Sequence, residues 1–316
     1  MDASSLIRNV FVAGCLCLSA AAAAASKDPY PSLHDRVEPA FQQRLEQAVS
    51  DLGLGWAADA GRLGLALVDI TDPERPRVAA INGDRMLYAA SLPKIAILLG
   101  AFEAVEHGEM RLDAPTAAEL SDMIRVSSNQ AATRLLNRVG KPKLAKILSS
   151  PRYRLYDPDV NGGLWVGKDY AKKGVWKRDP LHNLSHGATA LQTARFYYLL
   201  ETGRLVTPKR SRQMKALMAN SGINHKFVLG LAGRPSAKIY RKSGSWRQWH
   251  ADSALVEHAD HTYIAVGLVE HPDGGKWLSS LIVAMDDIVV EDERATGLER
   301  LAQVGRVERV ERRFRR

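Results

Sequence analysis

The chain has 316 residues, of which 46% are hydrophobic and 25% are charged, and its formal net charge is +9. This is a globular composition, long enough for one large domain or two interleaved ones, without internal repeats. The basic residues form no recognisable nucleic-acid-binding module, and for an exported protein an anionic cell envelope explains the charge more simply than a nucleic-acid partner does.

The first 25 residues have the pattern of an export signal. Arg8 precedes an apolar stretch from Val10 to Leu18, and a run of alanines then offers cleavage sites. We expect residues 1–25 to be a signal peptide and the mature protein to be periplasmic or secreted. Both cysteines lie in this segment, so no disulfide is expected. Val12-Ala13-Gly14-Cys15 resembles a lipoprotein processing box, but the short apolar stretch before Cys15 favours simple cleavage over lipid anchoring; an uncleaved anchor is a further alternative.

The next part of the chain is predicted to form a helix, a hairpin and a second helix. Apolar residues recur at helical spacing from Asp35 to Leu52. The runs Leu63–Ile70 and Val78–Ile81 are strands by length and composition, and a turn separates them. Ser91-Leu92-Pro93-Lys94 then opens an apolar run, and Pro93 suits the first turn of a helix.

The middle of the chain is predicted to be mainly helical and its end mainly extended. Helices are expected over residues 114–140, 142–148, 188–201, 208–219 and 276 to about 290. Strands are expected over residues 238–242, 250–258 and 262–270. The residues from Tyr153 to Lys177 form an irregular loop, and long ordered loops are usually functional.

These elements predict an α+β fold. Its antiparallel sheet is built from both chain ends and flanked by helices, with an all-helical subdomain inserted over about residues 108–219. One domain is expected over residues 26–293, followed by a solvated basic tail over residues 294–316.

Ser91 and Lys94 form an S-x-x-K pair at the start of the second helix. Residues three apart lie on one helix face. A neutral Lys94 can therefore take the hydroxyl proton of Ser91, and a cationic one can stabilise charge beside the oxygen. The free N–H groups of a helix start suit an oxyanion. Taken alone, however, the pair is more typical of an N-cap serine with a lysine nearby.

Three further segments carry residues suited to the same chemistry. Ser127 and Asn129 begin a later helix, where a hydroxyl and an amide can point into a cleft. Lys242-Ser243-Gly244-Ser245 ends a strand and suits a substrate carboxylate, and the N–H groups of Ser245 and Ser91 can bind an oxyanion. A carboxylate in Asp157-Pro158-Asp159-Val160-Asn161 can position and deprotonate a water. Each segment alone also fits an ordinary cap or turn.

The three motifs S-x-x-K, S-x-N and K-[ST]-G occur in this order, and the series resembles the signature of penicillin-recognising serine enzymes. The surrounding residues are most similar to the class A β-lactamase group, whose omega-loop motif E-P-E-L-N resembles residues 157–161 with both acids shortened. The resemblance implies the β-lactamase/transpeptidase-like fold and an acyl-enzyme mechanism that needs no metal or cofactor. It also implies a small β-lactam or a peptidoglycan-type substrate, and we expect a monomer.

By the same resemblance each site residue has an expected role. Ser91 is the nucleophile and Lys94 its base, and Ser127 passes a proton to the leaving nitrogen. Asp157 is the deacylation base. The expected substrate-binding residues are Asn129, Asn161, which helps to hold the water, and Lys242, Ser243, Gly244 and Ser245.

The sequence departs from the class A pattern in four places. Ser128 replaces the middle Asp of S-D-N, and the interval from Ser91 to Ser127 is shorter than usual. Residues 162–185 look inserted, and the residues after Gly244 do not match. Two alternatives therefore stay open. One is a D-alanyl-D-alanine peptidase, penicillin-binding protein or esterase of the same fold; the other is a non-catalytic envelope-binding module.

Overall fold

The computed structural model describes residues 30–171 and 176–291. The expected signal peptide with Cys15, the basic tail and part of the 162–185 segment lie outside the described residues. None of the helices within the described ranges is long and apolar enough to cross a membrane.

The helices of the described chain are α1 (Pro39–Asp51), α2 (Gly55–Asp59), α3 (Lys94–Glu106), α4 (Ala114–Arg125), α5 (Asn129–Val139), α6 (Lys141–Leu148), α7 (Ala190–Glu201), α8 (Pro208–Met218), α9 (Phe227–Gly230) and α10 (274–291). The strands are β1 (Leu63–Asp69), β2 (Arg77–Ile81), β3 (Leu87–Tyr88), β4 (Tyr156–Asp157), β5 (Gly162–Gly163), β6 (Trp165–Val166), β7 (His186–Ala188), β8 (Lys238–Trp246), β9 (Trp249–Glu257) and β10 (Thr262–Glu270). Short 3₁₀ turns span Leu33–Arg36, Pro158–Val160 and Leu231–Gly233.

The central sheet is antiparallel, with the order β2-β1-β10-β9-β8. It joins strands from both ends of the chain, and this confirms the predicted fold class. One face packs against α1 and α10 through residues such as Phe41 and Leu278. The other face packs against α7 and the helical region, where α3 is buried from Lys94 to Ala104. A helix that is apolar on all sides must lie inside the protein, so α3 is a rigid base for the residues at its start.

Two predicted boundaries shift by four residues in the structure. The first helix begins at Pro39 rather than Asp35, because the Glu38 side chain accepts hydrogen bonds from the N–H groups of Ala40 and Phe41 and caps it. Strand β8 continues four residues past Lys242, because its pairing with β9 extends to a tight hairpin at Trp246 and Trp249. The K-S-G segment therefore lies within a strand at the sheet edge rather than at a strand end.

Candidate active site

Ser91 lies in a turn that leads directly into α3. The residue before it, Ala90, has φ 50°, a left-handed conformation that costs energy for a residue with a side chain. Edge strand β8 passes very close to this turn. A Cβ added at Gly244 would lie 2.1 Å from the carbonyl oxygen of Ala89 and 2.7 Å from the nitrogen of Ser91. Position 244 therefore requires glycine, and the contact brings the N-terminus of α3 against the K-S-G segment.

Lys94 is fully buried below Ser91, and its amine faces the start of α5. Its Nζ lies 2.6 Å from the carbonyl oxygen of Ser127, 2.7 Å from Oδ1 of Asn129 and 3.2 Å from Oγ of Ser127. Burial lowers the pKa of Lys94 to about 7, because the low-dielectric interior disfavours the ammonium form. About half of the amine is then a free base at neutral pH.

The Ser127 hydroxyl lies between two lysine amines. Lys242 Nζ donates to Oγ of Ser127 at 2.9 Å and to the carbonyl oxygen of Ser243 at 2.7 Å. Ser127 itself has φ 59°, a conformation that holds its side chain between α3 and β8. The pKa of Lys242 is well below its usual value, chiefly through burial and then through the nearby charge of Lys94. Since Ser127 Oγ can accept from Lys242 and still donate its own proton, it is placed to pass a proton onward.

Lys226 is a buried member of the site that the sequence analysis missed. It precedes α9, and its Nζ donates to the carbonyl oxygen of Gly244 at 2.5 Å, to Oγ of Ser245 at 2.8 Å and to the carbonyl oxygen of Ala251 at 3.1 Å. Burial lowers its pKa to about 8, and the carboxylate of Asp252 acts in the opposite direction. No local motif marks Lys226, because its contacts are made to strands 18 or more residues away.

A cavity of about 870 Å³ opens beside these residues. Three of the predicted site residues, Ser91, Asn129 and Ser245, contribute to its wall. Five further residues of the wall are aromatic, namely Tyr88, Tyr170, His186, Trp246 and Trp249. Trp246 stands at the rim with 57% of its surface exposed. Aromatic faces of this kind suit a ring or an apolar substituent of a ligand.

Tyr170 covers the amine of Lys94. Lys94 Nζ lies 4.6 Å from the centre of the Tyr170 ring, and the Tyr170 hydroxyl donates to the carbonyl oxygen of Ala90 at 3.3 Å. The ring of His186 packs behind it at 4.3 Å. Burial lowers the pKa of His186 to about 4, so this imidazole is neutral at physiological pH. The sequence placed Tyr170 only in an irregular loop, and its contact with Lys94 depends on how that loop folds.

The structure does not bring Asp157 or Asn161 to the nucleophile. The carboxylate of Asp157 accepts from Arg154 Nε at 2.8 Å and from the N–H of Asp159 at 3.1 Å. Asn161 is left-handed, with φ 61°, and its amide donates to the carbonyl oxygen of Asp84 at 2.9 Å. Neither residue lines the cavity or has a hydrogen bond to Ser91 or Lys94 within the described ranges. The reason is that β4 and β5 pair with each other, so the segment closes on itself.

The remaining predicted residues follow Lys242 along β8. Ser243 is buried and Gly244 comes next, and of these residues Ser245 lines the cavity. Asp169 is the one carboxylate of the described chain that lines the cavity, and it is paired with Lys141 at 2.6 Å. Arg247 lies exposed at the tip of the β8–β9 hairpin over the ring of Trp246, as a solvated arginine should.

A second group of polar side chains lies at the far end of β9 and β10. His258, His261 and Asp286 have potential metal-binding atoms within 4.8 Å of one another. The two imidazole rings are stacked, with centres 4.2 Å apart and planes within 19°. The lone pair of an imidazole nitrogen lies in the ring plane, and two nearly parallel planes do not meet at one ion. This group therefore does not have the geometry of a metal centre.

A family model for the β-lactamase enzyme family matches residues 44–119 and 116–292. The fold is similar to that of PBP-A, with a TM-score of 0.61 and 19% identity over 82% of this chain and 98% of that one. A mutant of PBP-A solved as an acyl-enzyme complex with penicillin-G has a TM-score of 0.60, with 20% identity over 82% and 98% of the two chains. The β-lactamase from Sphaerobacter thermophilus DSM 20745 has a TM-score of 0.58, with 18% identity over 77% and 95%. No curated protein matches the chain.

Proposed function

Because the chain belongs to the β-lactamase enzyme family, we propose that it is an exported serine hydrolase that opens β-lactams through an acyl-enzyme on Ser91. The observation that carries this proposal is the Ser127 hydroxyl, which lies just before α5 and between the amines of Lys94 and Lys242. A serine nucleophile needs a base, and amide cleavage needs an acid for the departing nitrogen. These contacts can supply both.

In the proposed acylation the oxygen of Ser91 attacks the lactam carbonyl carbon. The hydroxyl proton of Ser91 passes to the free amine of Lys94, and the oxyanion is bound by the N–H groups of Ser91 and Ser245. The C–N bond then breaks, and Ser127 gives its proton to the leaving nitrogen. Lys94 returns the proton to Ser127 across the 3.2 Å contact. Lys242 and Ser243 bind the substrate carboxylate, and Asn129 holds a substrate amide.

We further propose that water releases the acyl group slowly. Hydrolysis of the ester needs a base beside the carbonyl. The described residues place no carboxylate in contact with Ser91 or Lys94, and the ring of Tyr170 covers the amine instead. This observation favours the D-alanyl-D-alanine peptidase or penicillin-binding type over a rapid β-lactamase. It agrees with the structural similarity to PBP-A, of which a mutant was solved with penicillin-G as an acyl-enzyme.

Labelling with a fluorescent penicillin tests the proposal. The wild-type chain should form a stable covalent adduct, and Ser91→Ala should form none. Ser128→Ala is the matched control, because Ser128 only caps α5 and should keep its label. Parallel assays with a chromogenic cephalosporin measure turnover. A folded wild-type protein that neither labels nor turns over would refute β-lactam recognition, and rapid steady turnover would refute slow release.

A further inference from the structure

Lys226 contacts the opposite end of the peptide group that faces the cavity. The carbonyl of Gly244 and the N–H of Ser245 belong to one peptide unit, whose resonance couples the two ends. In a trans peptide they point in opposite directions. Lys226 Nζ is bonded to the carbonyl end at 2.5 Å, while Ser245 lines the cavity. Lys226 itself is buried and does not line the cavity.

The contacts of Lys226 match its ammonium form. Its Nζ has three oxygen acceptors, on Gly244, Ser245 and Ala251. An ammonium group has three N–H donors, whereas a neutral amine has two. The cation is therefore matched to all three acceptors, and Asp252 nearby supports the charge.

We propose that Lys226 is a positioning residue for acyl transfer: its ammonium group fixes and polarises the Gly244–Ser245 peptide and so strengthens the Ser245 N–H as an oxyanion donor. Hydrogen bonds in a chain polarise one another, and a charged donor has the larger effect. This inference rests on the proposed function, in which the Ser245 N–H binds the oxyanion.

The same lysine also holds the edge strand in place. Gly244 and Ala251 are opposite each other on β8 and β9, and Lys226 bonds to the carbonyl oxygens of both. On its other side Gly244 presses against Ala89 and Ser91. Hydrogen-bond donors stabilise an oxyanion best when they are in position before it forms. By holding β8 in place and polarising the Gly244–Ser245 peptide, Lys226 therefore acts on the Ser245 N–H in two ways.

The charges near Lys226 decide over which pH range it acts. Asp252 raises its pKa and Arg241 lowers it, while burial has the largest effect and brings it to about 8. His225, His250 and Lys242 are in turn influenced by its charge. Above about pH 8 the ammonium is lost, and with it the polarisation of the peptide. The acylation rate should therefore rise with pH near pH 7, as Lys94 loses its proton, and fall near pH 8, as Lys226 loses its proton. These are the lower and upper limbs of its pH profile.

Selective isotope labelling can test the polarisation without any activity. Gly244–Ser245 is the only Gly-Ser dipeptide in the sequence. Labelling with carbonyl-¹³C glycine and ¹⁵N serine therefore isolates this one amide in an NMR spectrum. The Ser245 amide proton should move upfield as pH rises through about 8 in the wild type. In Lys226→Met the Ser245 amide proton should stay upfield at every pH, and in Lys226→Arg it should stay downfield at every pH. An amide shift in Lys226→Met that equals the wild-type shift at every pH would overturn the proposal.

The acylation rate provides the functional test. Lys226→Met should acylate about tenfold more slowly with a fluorescent penicillin, less than the loss when a donor is removed outright. The carbonyl stretch of the acyl-enzyme should move to higher frequency, and Lys226→Arg should recover rate and frequency but lose the upper pH limb. Lys276→Met, which removes an exposed lysine outside the site, should keep both. An unchanged acylation rate in Lys226→Met would refute the role of Lys226 as a positioning residue. A wild-type protein that cannot be acylated, but whose Ser245 amide shift titrates as expected, would refute only the proposed function.

Discussion

Replacing Lys94 by methionine should greatly slow acylation and yet stabilise the protein at low pH. The side chain is fully buried, and its pKa falls from the usual 10.5 to about 7. Below pH 7 the folded and unfolded chains both carry the proton, and burying the cation costs on the order of 5 kcal/mol. Between pH 7 and 10.5 the unfolded chain binds more protons, so the wild-type free energy of unfolding rises with pH.

The expected magnitude combines this cost with the hydrogen bonds that the variant loses. Lys94 donates to the carbonyl oxygen of Ser127 and to Asn129, and losing these two bonds should cost about 2–4 kcal/mol. Lys94→Met should therefore be about 2 kcal/mol more stable than wild type at pH 6 and about as much less stable at pH 10. The stability difference between the variant and the wild type therefore changes by about 4 kcal/mol from pH 6 to pH 10. This change does not depend on the lost hydrogen bonds, because their cost is the same at both pH values.

Denaturant unfolding of both proteins from pH 6 to pH 10 measures this difference. Lys276→Met is the control, because its side chain is 85% exposed, and its difference from wild type should stay flat with pH. Acylation by a fluorescent penicillin should fall by about 10²–10⁴-fold in Lys94→Met alone. A stability difference that does not change with pH would show that burial does not shift the pKa of Lys94 as argued here.

Three further substitutions examine other parts of the site. Tyr170→Ala should admit water to Lys94 and move the lower limb of the acylation pH profile above pH 7. Tyr170→Phe keeps the ring and should leave this limb near pH 7. A lower limb that does not move in Tyr170→Ala would show that the ring does not shield the amine. Asp157→Asn should leave the lifetime of the fluorescent adduct unchanged. It should lower the free energy of unfolding by less than about 1 kcal/mol, because it removes only a partly exposed ion pair. A longer-lived adduct would restore Asp157 as the deacylation base. Asp252→Asn should cost about 3–5 kcal/mol in denaturant unfolding, because Arg241 would stay buried without its partner; a loss below 1 kcal/mol would contradict this.

Local signals in the sequence were enough to predict the sheet and most helices. Strands β1 and β10 are continuous apolar runs, and α3 begins at Lys94, directly after a serine, a leucine and a proline. The boundaries that differed depended on contacts with other segments. The Glu38 cap and the β8–β9 hairpin are examples, since propensity alone does not show which of several residues will cap or pair.

The site was predictable where its residues occur in motifs and not where they depend on loop folding. Ser91, Lys94, Ser127 and Lys242 lie on or beside regular elements, and the structure links Lys94, Ser127 and Lys242 in one chain of hydrogen bonds. Asp157 depends on how a long loop folds. The two glycines of β5 let that loop turn back on β4, because Gly162 and Gly163 have φ of 106° and 147°. The turn keeps Asp157 beside Arg154 and leaves Tyr170 to cover Lys94.

Three buried lysines in one site raise the question of how each acquires a different task. All three are desolvated, and desolvation alone lowers every lysine pKa. The difference lies in their neighbours. Lys226 is near Asp252, whose charge favours the ammonium, whereas Lys94 has no carboxylate in contact among the described residues and faces an aromatic ring and neutral oxygens. Lys94 is therefore the amine that releases its proton near neutral pH and can act as a base. Lys226 keeps its proton to about pH 8 and can act only through its charge. The charge of Asp252 thus keeps the pKa of Lys226 above that of Lys94, and removing Asp252 should bring the two pKa values closer together.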